Sequence, residues 1–343
     1  MTDRVTETAS PRRRLAVVLV GVLVLALVAG AGAFLFARSH HLGPWRLGAQ
    51  EANPFAERPQ YVDPKSRAAQ AAAQATADGD TASAAAFERL AAVPAGIWLT
   101  PEQYPPGRVG AYVAEVVRAA EAAGNVPVLV VYGIPDRDCS GQYSSGGLTE
   151  EQYGPWVQEI ATAAGAADRI AVVLEPDALA ASIECHDQDQ RVRLMKDAVG
   201  LLRTAGVTTY VDAGHSDWVP AAAVARLLER SGVGSVRGFA TNVANYQTDE
   251  DERAYATRIA KLLGGAHYVI DSGRNGNGAT TNWCNPARRA FGTDPGFVDD
   301  GTGLDAFLWV KPPGESDGDC GGGPPAGEFW PERALEMARQ SGW

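Results

Sequence analysis

Seven short apolar runs recur along this chain, and nearly every gap between them is filled by a segment with helical spacing. The runs are "AGIWLT", "VPVLVVY", "RIAVVLE", "VTTYVDA", "VRGFATN", "HYVIDS" and "DAFLWVK". Between them lie "RVGAYVAEVVRAAEAAG", "EQYGPWVQEIATAAG", "DQRVRLMKDAVGLLRTAG", "DWVPAAAVARLLERSG" and "DERAYATRIAKLLGG". Each of these five has an amphipathic period, and most close on glycine, as helices do at their carboxyl ends. Such alternation requires parallel βαβ units whose strands are covered on both faces. The architecture is therefore α/β, either a barrel or an open doubly wound sheet. No GxGxxG follows an early strand, which removes the main support for a dinucleotide-binding sheet. Polar residues follow the carboxyl end of nearly every strand, which favours the barrel, where the site is built from those loops.

Ahead of this rhythm, the alanine-rich stretch from Lys65 to Leu90 is broken by "ADGDTAS", which predicts two helical pieces. Further upstream, Leu15 to Ala37 runs for 23 residues without a charge. At about 1.5 Å per helical residue it matches a bilayer core of roughly 30 Å. Arg12, Arg13 and Arg14 stand before it and place the first residues in the cytoplasm and the rest outside. A cleaved signal peptide is the competing reading, because "AGAGA" offers small residues to a peptidase, but the run is longer than the usual ~7 to 15 residue signal core. Residues 1–14 thus read as a basic cytoplasmic segment, 15–37 as a transmembrane anchor or signal helix, 38–52 as a polar stalk, and 53–343 as one catalytic domain. Both readings export the domain, which is then either membrane-anchored through the N-terminal helix or secreted.

The formal net charge is −11, and residues 1–38 carry about +3 of it, so the remainder is near −14 by subtraction. An acidic body of this kind repels nucleic acid and suits a neutral substrate. Four cysteines without a CxxC pair, in an exported chain, point to disulfides rather than to a metal site. Pairing Cys139 with Cys185 and Cys284 with Cys320 closes two local loops of roughly 40 residues, each worth a few kcal/mol, although spacing alone leaves the connectivity open. No cofactor and no metal are called for, and the chain is expected to act as a monomer.

The tails just past the strands are "WLT", "YGIPDRDCSGQYSSGG", "EPDALA", "DAGHSDW", "NVANYQ", "DSGRNGNG" and "KPPGESDG". Together they offer carboxylates, amides, a histidine, a lysine and aromatic rings. Sugar sites use this mixture, since rings stack on flat faces while hydroxyls take charged partners. In "LEPDALA" two acids crowd the mouth of a buried strand. Such crowding raises the pKa of a carboxylic acid, which is what a glycosidic general acid needs. Taken singly, these residues have ordinary explanations: Glu175 and Asp177 could simply favour a helix start, and a lone tryptophan is more often core than platform.

At these residues the sequence resembles glycoside hydrolase family six, the cellulases that include bacterial endoglucanases and cellobiohydrolases. "VVYGIPDRDCSGQYSSGG" and "VVLEPDALA" match its two diagnostic motifs, and "DAGHSDW", "NWCNP", "WVKPPGESDG" and "PAGEFWPERALEMAR" match further blocks in order. The similarity runs from about Tyr61 to the end. It implies a distorted, TIM-like barrel of seven parallel strands that hydrolyses β-1,4-glucosidic bonds of cellulose or a related β-glucan with inversion. Asp177 corresponds to the general acid, and Asp138 to the aspartate that raises the acid's pKa and supports the cationic transition state. Asp317 corresponds to the proposed base, acting directly or through water. Tyr132 matches the tyrosine that presses on the distorted sugar. Trp98, Trp218 and Trp283 match stacking platforms. Arg137, Asp212, His215, Asn245, Lys311 and Glu315 match hydroxyl contacts, and the family's cysteine pairing is the one set out above. The brief "SGQYSSGG" and the short stretch between Cys284 and Cys320 imply an open groove, and hence internal cutting, rather than the tunnel of an exo-acting cellobiohydrolase. The alternatives are that exo mode, another β-glucan including one made by the producing cell, and a surface protein that binds glycan without cleaving it.

Overall fold

A computed structural model describes residues 50–137, 144–185 and 187–343. The expected anchor at 15–37 lies outside the described residues, as do Asp138 and Cys139. Among the described residues no helix is long and apolar enough to cross a membrane.

All seven expected strands form: β1 (Ile97–Leu99), β2 (Val128–Val131), β3 (Ala171–Leu174), β4 (Thr208–Asp212), β5 (Gly238–Thr241), β6 (His267–Asp271) and β8 (Leu304–Leu308). They pair in parallel in that sequence, each with the next. Two features depart from a closed seven-stranded barrel. A two-residue strand, β7 (Gly296–Phe297), runs antiparallel along the outer side of β8. The sheet also stays open, since β1 and β8 share no ladder. Their seam is bridged by two single bonds, in which the Gly96 amide donates to the Trp309 carbonyl (2.8 Å) and the Trp98 indole Nε1 donates to the Val310 carbonyl (2.8 Å). The β7 segment is too short to leave a periodic signal in the sequence.

The strands are mostly apolar because both of their faces are covered, and exceptions such as Thr209, Asp271 and Asp305 are buried with hydrogen-bond partners. Val128, Val130, Ala171, Val173, Tyr210, Ala240, Val269, Ala306 and Leu308 point into the barrel and pack on one another. The alternate residues Leu129, Val131, Val172, Leu174, Val211, Phe239, Ile270 and Phe307 point outward against the helices. This period of two on a doubly buried sheet is why the runs read as continuous hydrophobic blocks. The covering helices are α3 (Val109–Ala123), α4 (Glu150–Ala164), the short α5 (Ala178–Ala181), α6 (Gln188–Ala205), α7 (Ala221–Arg230) and α8 (Asp249–Leu262). Helices α3 and α6 end on left-handed Gly124 and Gly206, the conformation that favours glycine. The alanine-rich stretch forms α1 (Arg67–Ala77) and α2 (Thr81–Ala91), capped by Ser66 and Asp80 and broken where "ADGDTAS" predicts. With the C-terminal helix α9 (Pro331–Gln340) they bury a separate cluster around Trp309 and Phe291.

The amino end of the barrel is closed by charge. Arg237 donates from Nε and Nη2 to both oxygens of Asp305 (2.7 Å each), and the Tyr210 hydroxyl donates to the same carboxylate at 2.7 Å. The Gln50 and Glu51 carbonyls take the remaining guanidinium nitrogen. A two-toothed Arg–carboxylate pair this deeply buried persists only when its other donors and acceptors are satisfied, as they are here.

Candidate active site

The turn "EPD" that follows β3 carries Glu175 and Asp177 in opposite roles. Both residues adopt left-handed backbone angles (φ 49° and 67°), which for a non-glycine residue costs of order 1–3 kcal/mol. Glu175 is fully buried and points away from the cleft. Its carboxylate accepts the Gly133 amide (3.0 Å) and the Ile134 amide (3.1 Å), pinning the end of β3 to the turn after β2. Burial lifts its pKa to about 7, and the two amides and the neighbouring Tyr153 hydroxyl pull against that rise. Gly133 has no room for a side chain, because a Cβ there would stand 2.6 Å from the Trp156 ring. Asp177, two residues on, is half-buried and lines the cleft.

The left-handed Asp177 is held from below by Asp212, at the end of β4. One Asp212 oxygen, Oδ2, accepts the amides of Asp177 (2.8 Å) and Gly214 (3.0 Å). Asp212 is fully buried, so it lies beneath the cleft floor instead of at its surface, where a hydroxyl contact would sit. Burial raises its carboxyl pKa well above the usual range, and the Asp177 carboxylate adds to the rise.

Tyr132 and Arg137 form one unit. The guanidinium sits over the Tyr132 ring at 4.6 Å, donates from Nη1 to the Tyr132 carbonyl (2.6 Å) and from Nη2 to Glu102 (2.8 Å). Those bonds occupy both terminal nitrogens of a side chain that is 5% exposed, so Arg137 braces the tyrosine. Burial, reinforced by the Asp177 charge, raises the Tyr132 phenol above its ordinary value. Fully buried Arg191 of α6 donates to the Asp136 carbonyl (2.5 Å) and to Asp187 (2.7 Å), fixing the backbone that leads into Asp138.

On the other side of the cleft, Asp317 is buried and committed. Its Oδ1 accepts Arg274 (2.8 Å), and its Oδ2 accepts the Tyr246 hydroxyl (2.9 Å) and the Asn285 amide (3.0 Å). Arg274 also donates to the Ala244 carbonyl and lies 4.6 Å from the Tyr246 ring. Asn285, at φ 47°, clamps the loop from inside: its amide nitrogen donates to Ser316 Oγ and to the Gly318 and Cys320 carbonyls, while its Oδ1 accepts the Asp317 amide (2.8 Å). The expected Cys284–Cys320 disulfide forms beside it. The other expected pair, Cys139 with Cys185, involves a residue outside the described ones.

The remaining predicted residues ring the same space. Trp98 meets Tyr132 edge to face at 5.2 Å, and Lys311 Nζ sits 5.3 Å from the Trp98 ring. Lys311 donates to the Ser316 carbonyl (3.1 Å) and lies 3.8 Å from Glu315; burial lowers the Lys311 ammonium pKa and raises the Glu315 carboxyl pKa, and the charge of each partner opposes the other's shift. His215 packs on Trp218 at 5.7 Å, and burial brings its pKa down to about 4, which leaves it neutral at ordinary pH. Trp218 donates to Glu184 (3.1 Å), Asn245 accepts the Tyr246 amide (3.0 Å), and Trp283 stands 46% exposed at the rim.

Of the described predicted cleft residues, all but Asp212 line one cavity of about 1150 Å³ over the carboxyl ends of the strands. That exceeds the ~300–1,000 Å³ of a site for one small molecule and fits a polymer. Among the described residues no cluster of three or more His, Cys, Asp or Glu is arranged to hold a metal ion. The supporting residues that sequence reasoning did not assign are Glu102, Tyr246, Asp271, Arg274 and Asn285. Asp271, Arg274 and Asn285 do stand inside "DSGRNGNG" and "NWCNP", but only the tertiary bonds reveal what they hold. Asp271 accepts the amides of Ala244, Gly273, Val310 and Lys311 and so ties three strand ends together.

An open, parallel α/β half-barrel thus carries an acid- and tryptophan-lined cleft over its strand ends, where such folds place their active sites. Residues 55–341 match the glycosyl hydrolases family 6, and the chain belongs to that family. It is 45% identical over 283 residues to endoglucanase A of Cellulomonas fimi (82% of this chain, 61% of the relative) and 40% identical to endoglucanase A of Thermobispora bispora (82% and 62%). The chain thus spans about three fifths of the length of these curated relatives. Among solved structures it resembles the endoglucanase Cel6 of Mycobacterium tuberculosis in complex with a methyl-cellobiosyl thio-cellobioside (44% identity, TM-score 0.79, 85% of this chain and 100% of that one). It also resembles a Humicola insolens cellobiohydrolase in complex with glucose and cellotetraose (27%, TM-score 0.74, 85% and 99%).

Proposed function

We propose that the chain is an endo-acting β-1,4-glucanase that hydrolyses cellulose or a related β-glucan with inversion, outside the cell. The observation that carries this reading is Asp177, presented into a long cleft by a strained turn and held there through Asp212. Asp177 donates its proton to the glycosidic oxygen. Asp138, assigned by the family resemblance, supports the positive charge that develops on the sugar ring. Tyr132, braced by Arg137, presses on the ring at the cleavage point. Asp317, held by Arg274 and Tyr246, takes up the proton of the attacking water, directly or through a bridging water. A water of this kind on the far face of the ring is what inversion requires, with acid and base roughly 6.5–9.5 Å apart. Trp98, Trp218 and Trp283 supply stacking faces along the cleft, and Lys311, Glu315, neutral His215 and Asn245 supply hydroxyl partners. The relatives named endoglucanase favour internal cutting, and the cellobiohydrolase relatives keep the exo mode as the comparison to test.

Reducing-sugar release from carboxymethyl cellulose by the chain and by Asp177→Ala tests the assignment. The variant is expected to lose nearly all activity while still binding cello-oligosaccharides. Equal release by both proteins would remove Asp177 as the acid, and no release by either would leave a glycan-binding protein. A steep fall in viscosity ahead of reducing-sugar release identifies internal cutting.

A further inference from the structure

We infer that the cleft continues past Trp98 into a further glucosyl-binding subsite, walled by Arg67 and Gln70 of α1 together with Asp63, Gln103, Tyr104 and Tyr112. This rests on the β-glucan reading above and extends the length of chain that the site grips. A line of contacts leads there from the proposed cleavage point. Tyr132 meets Trp98 at 5.2 Å, Lys311 Nζ lies 5.3 Å from the Trp98 ring and 3.8 Å from Glu315, and Arg67 Nε lies 4.0 Å from Glu315 on its far side. The same cavity wall then includes the other five residues.

The chemistry at that end is of the kind sugars need. Tyr104 and Tyr112 stack at 4.0 Å with their planes 16° apart, and both are half-buried. The Gln103 amide, which is exposed, donates to the Tyr104 hydroxyl at 3.1 Å. Flat rings with an amide, a carboxylate and a guanidinium beside them can stack on a pyranose and bond its hydroxyls.

Stability of the fold does not account for Arg67. It is the first residue of α1, where the helix dipole disfavours a cation, so it does nothing for that helix. Its side chain is 43% exposed, and a 4.0 Å approach to Glu315 by one nitrogen leaves most of its five N–H donors open to the cavity. Because Asp63 lines the same cavity, that end carries no single-sign field, which suits a neutral glucan.

The test is calorimetric titration of the full chain, carrying Asp177→Asn to block turnover, with cellotriose and with cellohexaose. Cellohexaose should bind more tightly than cellotriose, and Arg67→Ala or Gln103→Ala should cut that length advantage several-fold. Both variants are on exposed side chains, so they keep the fold where Tyr104→Ala could lose it. An unchanged ratio of the two affinities in the variants overturns the inference, as does an equal loss for both sugars. Cellohexaose binding no tighter than cellotriose overturns it too, while leaving the β-glucan reading intact. Failure to bind either sugar overturns both.

Discussion

Replacing Glu175 by glutamine should flatten part of the stability–pH curve, and the structure sets the size of the effect. Glu175 is fully buried, its carboxyl is pushed from 4.5 to about 7, and burial is the chief cause. The native state therefore binds a proton between about pH 4.5 and 7 that the unfolded state has lost, so this group's contribution falls as pH rises. It is fully present below about 4.5 and lost as pH passes through about 7. At 1.36 kcal/mol per pH unit, the rise amounts to roughly 3 kcal/mol. Glutamine imitates the protonated acid: it carries no charge and keeps an oxygen that can accept the Gly133 and Ile134 amides. Urea unfolding of both proteins from pH 4.5 to 8 reads the difference. The two should be alike near pH 4.5, and the variant should gain on the wild type by up to about 3 kcal/mol near pH 8. A difference that stays constant across this range would refute the reasoning, because the buried carboxyl would then not be changing its charge in the folded protein.

Three further outcomes follow from bonds described above. Asp212→Ala strands the buried amides of Asp177 and Gly214 at about 1–3 kcal/mol each and should lower both Tm and kcat, whereas Asp212→Asn, which keeps an acceptor, should retain most of both; thermal melts and cellohexaose kinetics compare them. Arg274→Ala leaves the 7%-exposed Asp317 side chain charged and unpaired, and should cost about 3–5 kcal/mol in chemical denaturation. Cys320→Ser opens a loop of 36 residues and should destabilise the chain by roughly 4 kcal/mol in chemical denaturation.

The parallel sheet and its covering helices were legible in the sequence because strands covered on both faces are apolar at most positions. The seven runs stood out for that reason, and the helices between them matched to within a few residues. The edge strand Gly296–Phe297 and the open seam between β1 and β8 were not legible, since two residues carry no period and closure depends on how far the sheet curls. The aspartates and tryptophans of the cleft were found through motifs. What those residues do beneath the surface was not. Glu175 and Asp177 look alike in "LEPDALA", yet one is a buried fastener and the other faces the cleft. Arg137 and Asp212 match hydroxyl contacts by position, but the folded chain spends Arg137 on Tyr132 and Glu102 and Asp212 on the backbone of Asp177. Such commitments depend on which strand ends become neighbours.

Asp136, Glu175, Asp177, Asn242, Ala244 and Asn285 all hold left-handed angles, and every one sits in a loop beyond a strand's carboxyl end or beside Asp317. Glycine would relax the backbone at each of these six positions, but at five of them it also removes a polar side chain, and at Glu175, Asn242 and Asn285 the buried bonds that side chain makes. At Ala244, which carries no polar side chain to lose, the gain should come nearly free. In the β3 turn the exchange is a poor one, because glycine would strip the Gly133 and Ile134 amides of their acceptor at one position and delete the cleft carboxyl at the other, so strain and side chain come together within three consecutive residues.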